Sequence, residues 1–139
     1  LNYGARIAHI TDGTSNTLAM VEILKGIAVG GNDRRGRIWN EDSNTYQVST
    51  RLGPNSALPD NCQTATCTHT PAQNLPYEPS PTAITSGRCQ SSIAARSRHT
   101  GGVFALLCDG SVRFVSENIN DHVWRALSTM RNGETIGEF

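Results

Sequence analysis

Gly102-Val103-Phe104-Ala105-Leu106-Leu107-Cys108-Asp109-Gly110-Ser111-Val112-Arg113-Phe114-Val115-Ser116 is the stretch that decides the fold. Two runs rich in β-branched and aromatic residues flank Asp109-Gly110, a dipeptide suited to the positive-φ pair of a type I′ turn. The stretch therefore reads as a β-hairpin with strands over 103–108 and 111–116. In the second strand Val112, Phe114 and Ser116 share one face, while Arg113 and Val115 share the other. Asn120 then stands as the N-cap of a helix over Asp121–Arg131, with Ile119 and Trp124 placed for a hydrophobic staple. Val123, Trp124, Leu127 and Met130 form its apolar stripe, and Gly133 suits the C′ position. The tail 134–139 is expected to add an edge strand.

Toward the N-terminus, a short helical or turn element is expected around Arg6–Ile10, followed by the loop Thr11–Asn16. Thr17-Leu18-Ala19-Met20-Val21-Glu22-Ile23-Leu24 is almost continuously apolar, as in a strand covered on both faces. Arg37-Ile38-Trp39 reads as a short returning strand. Residues 41–97 differ in kind: they hold all 6 prolines, many Thr, Ser, Asn and Gln residues, and no long apolar run. They are expected to form an irregular excursion ordered by cross-links rather than by a core. The class is α+β, with an antiparallel β-sheet, a C-terminal helix and a long disulfide-stapled excursion, all in one domain over 1–139.

Composition narrows the function classes. The chain has 139 residues, 37% of them hydrophobic and 6% aromatic, with 12 Lys and Arg against 12 Asp and Glu. A balanced charge gives no electrostatic basis for binding nucleic acid or an anionic membrane. The cluster Arg34, Arg35, Arg37 is flanked by Asp33, Glu41 and Asp42 and reads as a mixed-charge loop. No stretch reaches the roughly 18 apolar residues of a membrane span. A start at Leu1, without a charged and apolar leader, suggests a processed or trimmed chain. The 4 cysteines Cys62, Cys67, Cys89 and Cys108 are an even set, which favours disulfides and an oxidising compartment over zinc. Three complete pairings remain open.

Two segments resemble a large planctomycete family of pilin-like (pseudopilin-type) proteins with a prepilin-type N-terminal cleavage and methylation helix. The first is Ile10-Thr11-Asp12-Gly13-Thr14-Ser15-Asn16-Thr17-Leu18-Ala19, followed by Glu22. The second is a histidine, nine residues, then Asp-Gly, here His99 to Asp109-Gly110. Trp124-Arg125-Ala126-Leu127 and the Gly133–Phe139 ending are also similar. The resemblance spans both ends and leaves out 41–97. It implies a secreted head tethered to the membrane only through an N-terminal helix that this chain lacks. It makes Asp12, Gly13, Thr14, Asn16, Glu22, His99, Asp109 and Gly110 a structural signature. Cys108 replaces the small residue usual in the family and is expected to pair with a cysteine of the middle region.

The chemistry in these residues is sparse. His99 with Asp109 and a hydroxyl would suit a nucleophilic triad, but nothing local holds the three together. Asp109 reads better as a turn former, and His99 as an anchor whose ring nitrogens tie its loop to backbone carbonyls. Asp12, Thr14 and Asn16 alternate oxygen ligands as a calcium loop does, yet Glu22 falls at the eleventh position rather than the twelfth. Local turn bonding explains the same residues. Glu22, Glu41, Asp42, Asp60, Glu78 and Asp109 show no spacing that selects a carboxylate pair for glycoside hydrolysis. Trp39, Tyr46 and Tyr77 form a candidate ligand surface for sugar rings, or else plug the space beneath a long loop.

The expected function is structural: an extracellular or cell-surface pilin-like head that packs with copies of itself or related subunits into a filament or a secretion-type pseudopilus. A glycan-binding module and a carbohydrate-active enzyme are the rivals. No catalytic residue, metal or cofactor is expected.

Overall fold

The computed structural model describes residues 5–26, 33, 35–36, 48–62, 69–79, 92–134 and 136–139. In chain order these form 3-10 turns at Ile7–His9 and Thr14–Asn16, strand β1 (Leu18–Val21), strand β2 (Asp60–Cys62) and a 3-10 turn at Pro71–Gln73. Strands β3 (Tyr77–Pro79), β4 (Gly102–Leu107) and β5 (Val112–Ser116) and helix α1 (Asp121–Ala126) follow. β1, β4 and β5 make an antiparallel sheet in that order, and β2 pairs with β3 in parallel. The class is mixed α+β.

The hairpin lies where the sequence puts it, with Val103 opposite Val115 and Leu106 opposite Val112. Its turn is of a different type. Leu107 N–H donates to Ser111 O and Gly110 N–H donates to Leu107 O. The loop is therefore three residues long, Cys108-Asp109-Gly110, and Gly110 takes positive φ (88°) while Asp109 does not. This is the type I turn with a glycine bulge, the next commonest solution for closing a hairpin. One left-handed residue suffices because Asp109 bonds forward to Ser111 instead of adopting that conformation.

β1 is an edge strand and is not covered on both faces: Ala19 is exposed and Met20 is 70% exposed. Its register shifts between Leu18 and Met20, where the pairing passes from Leu107 to Leu106. Its free edge is closed by other segments, since Leu18 N–H donates to Leu127 O and Glu22 O accepts Arg96 N–H.

Helix α1 starts as expected. The Asn120 side chain accepts the His122 and Val123 N–H groups, which would otherwise lack partners at a helix start. Trp124 is fully buried and donates its indole N–H to Leu52 O at 2.9 Å. The helix ends at Ala126, short of Arg131. The carbonyls of Leu127 and Met130 are instead taken by the N–H groups of Leu18 and Thr11, which draws the chain out of the helical ladder. The tail forms no strand among its described residues; Ile136 and Phe139 pack against the core instead. That core is Ala95, Val103, Ala105, Val115, Trp124 and Leu127, with inward residues alternating along β4 as strand geometry requires.

The middle of the chain carries more regular structure than its composition suggests. Asn61 pairs with Glu78 across β2 and β3 and also bridges to Ser92 on its other side. Val48 bridges to Ile93, and Leu75, Ile93 and Ala94 are buried. Cys108 is a free thiol, so the expected link from it to the middle region is not made. Cys67, Cys89 and the side chain of Cys62 lie outside the described residues, as does Arg37-Ile38-Trp39.

Candidate functional site

Residues 11–17 act as a clasp between the hairpin turn and the segment that follows α1. Gly13 takes φ 96°, a conformation glycine adopts freely, and so turns the chain between the two contacts. On one side Thr14 O accepts Asp109 N–H and Thr17 O accepts Cys108 N–H. On the other, the Asp12 carboxylate accepts Asn132 N–H at 3.0 Å and Gly133 N–H at 2.9 Å. The Thr17 hydroxyl donates to Gly13 O, and the Asn16 amide donates to Asp12 O. Asp109 closes its own turn through the Ser111 hydroxyl and N–H at 2.7 and 2.8 Å. Those two donors, with Arg113 nearby, hold its carboxyl below the ordinary aspartate pKa.

Glu22 and His99 meet at the other end of the shared strand. Glu22 Oε2 accepts Phe104 N–H at 2.8 Å, and Oε1 lies 3.3 Å from His99 Nε2. The His99 ring stands edge-on to Phe104 at 5.2 Å. The His99 ring faces the Glu22 carboxylate rather than the backbone carbonyls expected for it, and it is half-exposed. Asp109 is occupied by Ser111, and the triad geometry does not form.

The densest polar cluster is one that the sequence pattern does not announce. Asp33, Arg35, Asp60 and Arg96 are each at most 1% exposed. Arg35 donates to Asp33 at 2.7 Å, to Asp60 at 2.8 Å and to the carbonyls of Leu75 and Pro76. Arg96 donates to Asp60, to Asn74 and to the carbonyls of Ser56 and Leu58. Ala94 N–H completes the Asp60 shell. Burial alone would lower the Arg35 pKa, but the hydrogen bonds and charges of Asp33 and Asp60 outweigh it and raise the pKa. Asn55 extends the network, accepting Asn74 Nδ2 and Ser97 N–H and donating to Gly102 O. Asp33-x-Arg35 resembles a solvated loop in sequence because its partners Asp60 and Arg96 are far away along the chain. The one available hint is charge of both signs within a glycine-bounded stretch.

Tyr77 is half-buried, with its hydroxyl enclosed and unpaired; Trp39 and Tyr46 lie outside the described residues. Among the described residues no group of three His, Cys, Asp or Glu side chains could hold a metal ion, and no helix is long and apolar enough to cross a membrane.

The outer face of the three-stranded sheet is apolar and open. Met20, Leu106 and Val112 lie in one row across the strands, and Phe104 opposes Phe114 in another, with their rings 5.2 Å apart. Met20, Val112, Phe104 and Phe114 are exposed, Val112 by 63%.

The model of a family described as a protein of unknown function, DUF1559, matches residues 1–122. The chain belongs to that family. No curated protein and no solved structure gives a significant match. Both signature segments of this DUF1559 member fall within the matched residues, as do residues 11–17, the Glu22–His99 pair and the hairpin, whereas the Asn132 and Gly133 partners of Asp12 lie beyond them.

Proposed function

We propose that this DUF1559 protein is a structural and interaction subunit: the extracellular, pilin-like head of a planctomycete-type surface or pseudopilus assembly. The observation that carries the proposal is the open apolar face of the β1-β4-β5 sheet. Isolated exposed apolar residues are ordinary, whereas a connected row across three strands marks a contact surface. The signature residues add support, because the carboxylates among them are engaged in hydrogen bonds to the chain itself. Asp12 grips the segment after α1, Glu22 holds Phe104 and faces His99, and Asp109 holds Ser111. They build the scaffold that presents the face, and no catalysis is assigned to them. Related subunits are the natural partners.

The experiment uses the full-length protein in its host cell, with a photoreactive residue replacing Phe114. Illumination of intact cells should trap subunit-to-subunit products in material sheared from the surface. Phe104→Ser with Phe114→Ser should abolish those products while the purified chain keeps its melting temperature. A protein found only inside cells, as an uncrosslinked monomer, would overturn the proposal.

A further inference from the structure

The chain has three Asx-Gly dipeptides, Asp12-Gly13, Asp109-Gly110 and Asn132-Gly133, and all three meet at one end of the sheet. Asn132-Gly133 is the reactive one. An asparagine followed by glycine closes readily to a succinimide, because glycine leaves its nitrogen unshielded and the carboxamide can lose ammonia. Asn132 and Gly133 are both exposed, yet the attacking nitrogen is not free. Gly133 N–H donates to Asp12 Oδ1 at 2.9 Å, and Asn132 N–H donates to Asp12 Oδ2 at 3.0 Å. Ring closure requires Gly133 N to lose its proton, and a carboxylate bound to that proton opposes the developing negative charge. The paired bonds also fix the backbone of both residues.

We propose that Asn132 is a latent modification site, kept unreacted by Asp12 and converted when the clasp opens. In the conversion Gly133 N bonds to Asn132 Cγ, the Cγ–Nδ2 bond breaks and ammonia departs. Water then opens the succinimide to aspartate or isoaspartate at position 132. The product carries a new carboxylate beside Asp12 and Glu134, two groups that already converge on the Thr129 hydroxyl at 3.4 and 3.1 Å. Repulsion among the three keeps the clasp from closing again, so a transient opening is recorded permanently.

Peptide mass spectrometry of the purified chain, incubated in mildly alkaline buffer, follows deamidation at Asn132. Losing charge-assisted hydrogen bonds of this kind should accelerate it by about ten- to a hundredfold, both in denaturant and in Asp12→Ala. Buried Trp124 fluorescence checks that Asp12→Ala is folded. If that variant does not fold, the rates of native and denatured wild type decide the matter between them. Native chain that deamidates as fast as denatured chain overturns the proposal, and so does a folded Asp12→Ala variant with an unchanged rate. Asn132→Asp should lower the melting temperature more at low salt than at high salt; a salt-independent melt would remove the self-locking step.

Discussion

Asp60 is the residue on which the middle of the chain turns. Its two oxygens accept both buried arginines and the Ala94 amide, with no access to water. Removing one member of a buried ionic group strands the others, at a cost of about 3–5 kcal/mol. Asp60→Asn should therefore lower stability by that amount in urea denaturation, whereas a loss under about 1 kcal/mol would mean the arginines find water. Asp109 makes the opposite case, an exposed carboxylate with a depressed pKa. A lowered native pKa stabilises the fold at pH above the ordinary carboxylate value, and that contribution is lost as pH falls through the native value. The gap in urea midpoint between wild type and Asp109→Asn should be present at neutral pH and close below about pH 4. A gap that is constant with pH would sever Asp109 ionisation from turn stability.

The elements that can be read from the sequence are those closed by near neighbours. The β4–β5 hairpin and the Asn120 cap each depend on residues a few positions apart, and both form where the sequence indicates. The details that escape such a reading depend on remote partners: α1 stops early because Leu18 and Thr11 claim the carbonyls of Leu127 and Met130, and β1 is an edge because it pairs with β4 on one side alone. The same holds at the site. Asp12, Glu22 and His99 can be named from motif, but their partners Gly133, Phe104 and each other lie on separate segments. For the Asp33–Arg35–Asp60–Arg96 cluster the local hint goes no further than charge of both signs beside Gly36, because Asp60 and Arg96 are remote in sequence. Two substitutions test the local devices. Gly110→Val forces a β-branched residue to φ 88° and should cost on the order of 1 kcal/mol or more. Asn120→Ala strips the helix cap and should cost about 1 kcal/mol. Thermal melts read both, and wild-type behaviour in either would show that device to be dispensable.

On the scale of the whole molecule, two kinds of interior lie side by side. One is the small apolar core of Val103, Ala105, Val115, Trp124 and Leu127 beneath the sheet; the other is the charged interior in which Arg35 and Arg96 meet Asp33 and Asp60. They are joined by bonds that include Trp124 to Leu52, Arg96 to Glu22, and Ser97 with Asn55 to Gly102. The charged interior leaves a thermal signature. Hydrating apolar surface on unfolding raises heat capacity, while hydrating polar and charged surface lowers it. A chain that buries Asp33, Arg35, Asp60 and Arg96 alongside a modest aliphatic core should unfold with a small heat-capacity increment, below the usual ~12–15 cal/mol/K per residue. Its stability curve is then shallow, changing little between cold and warm water. The dehydration penalty of the four charges also shrinks on heating. Scanning calorimetry across a series of pH values measures the increment directly, and Asp60→Asn, by opening the charged interior in the native state, should change it.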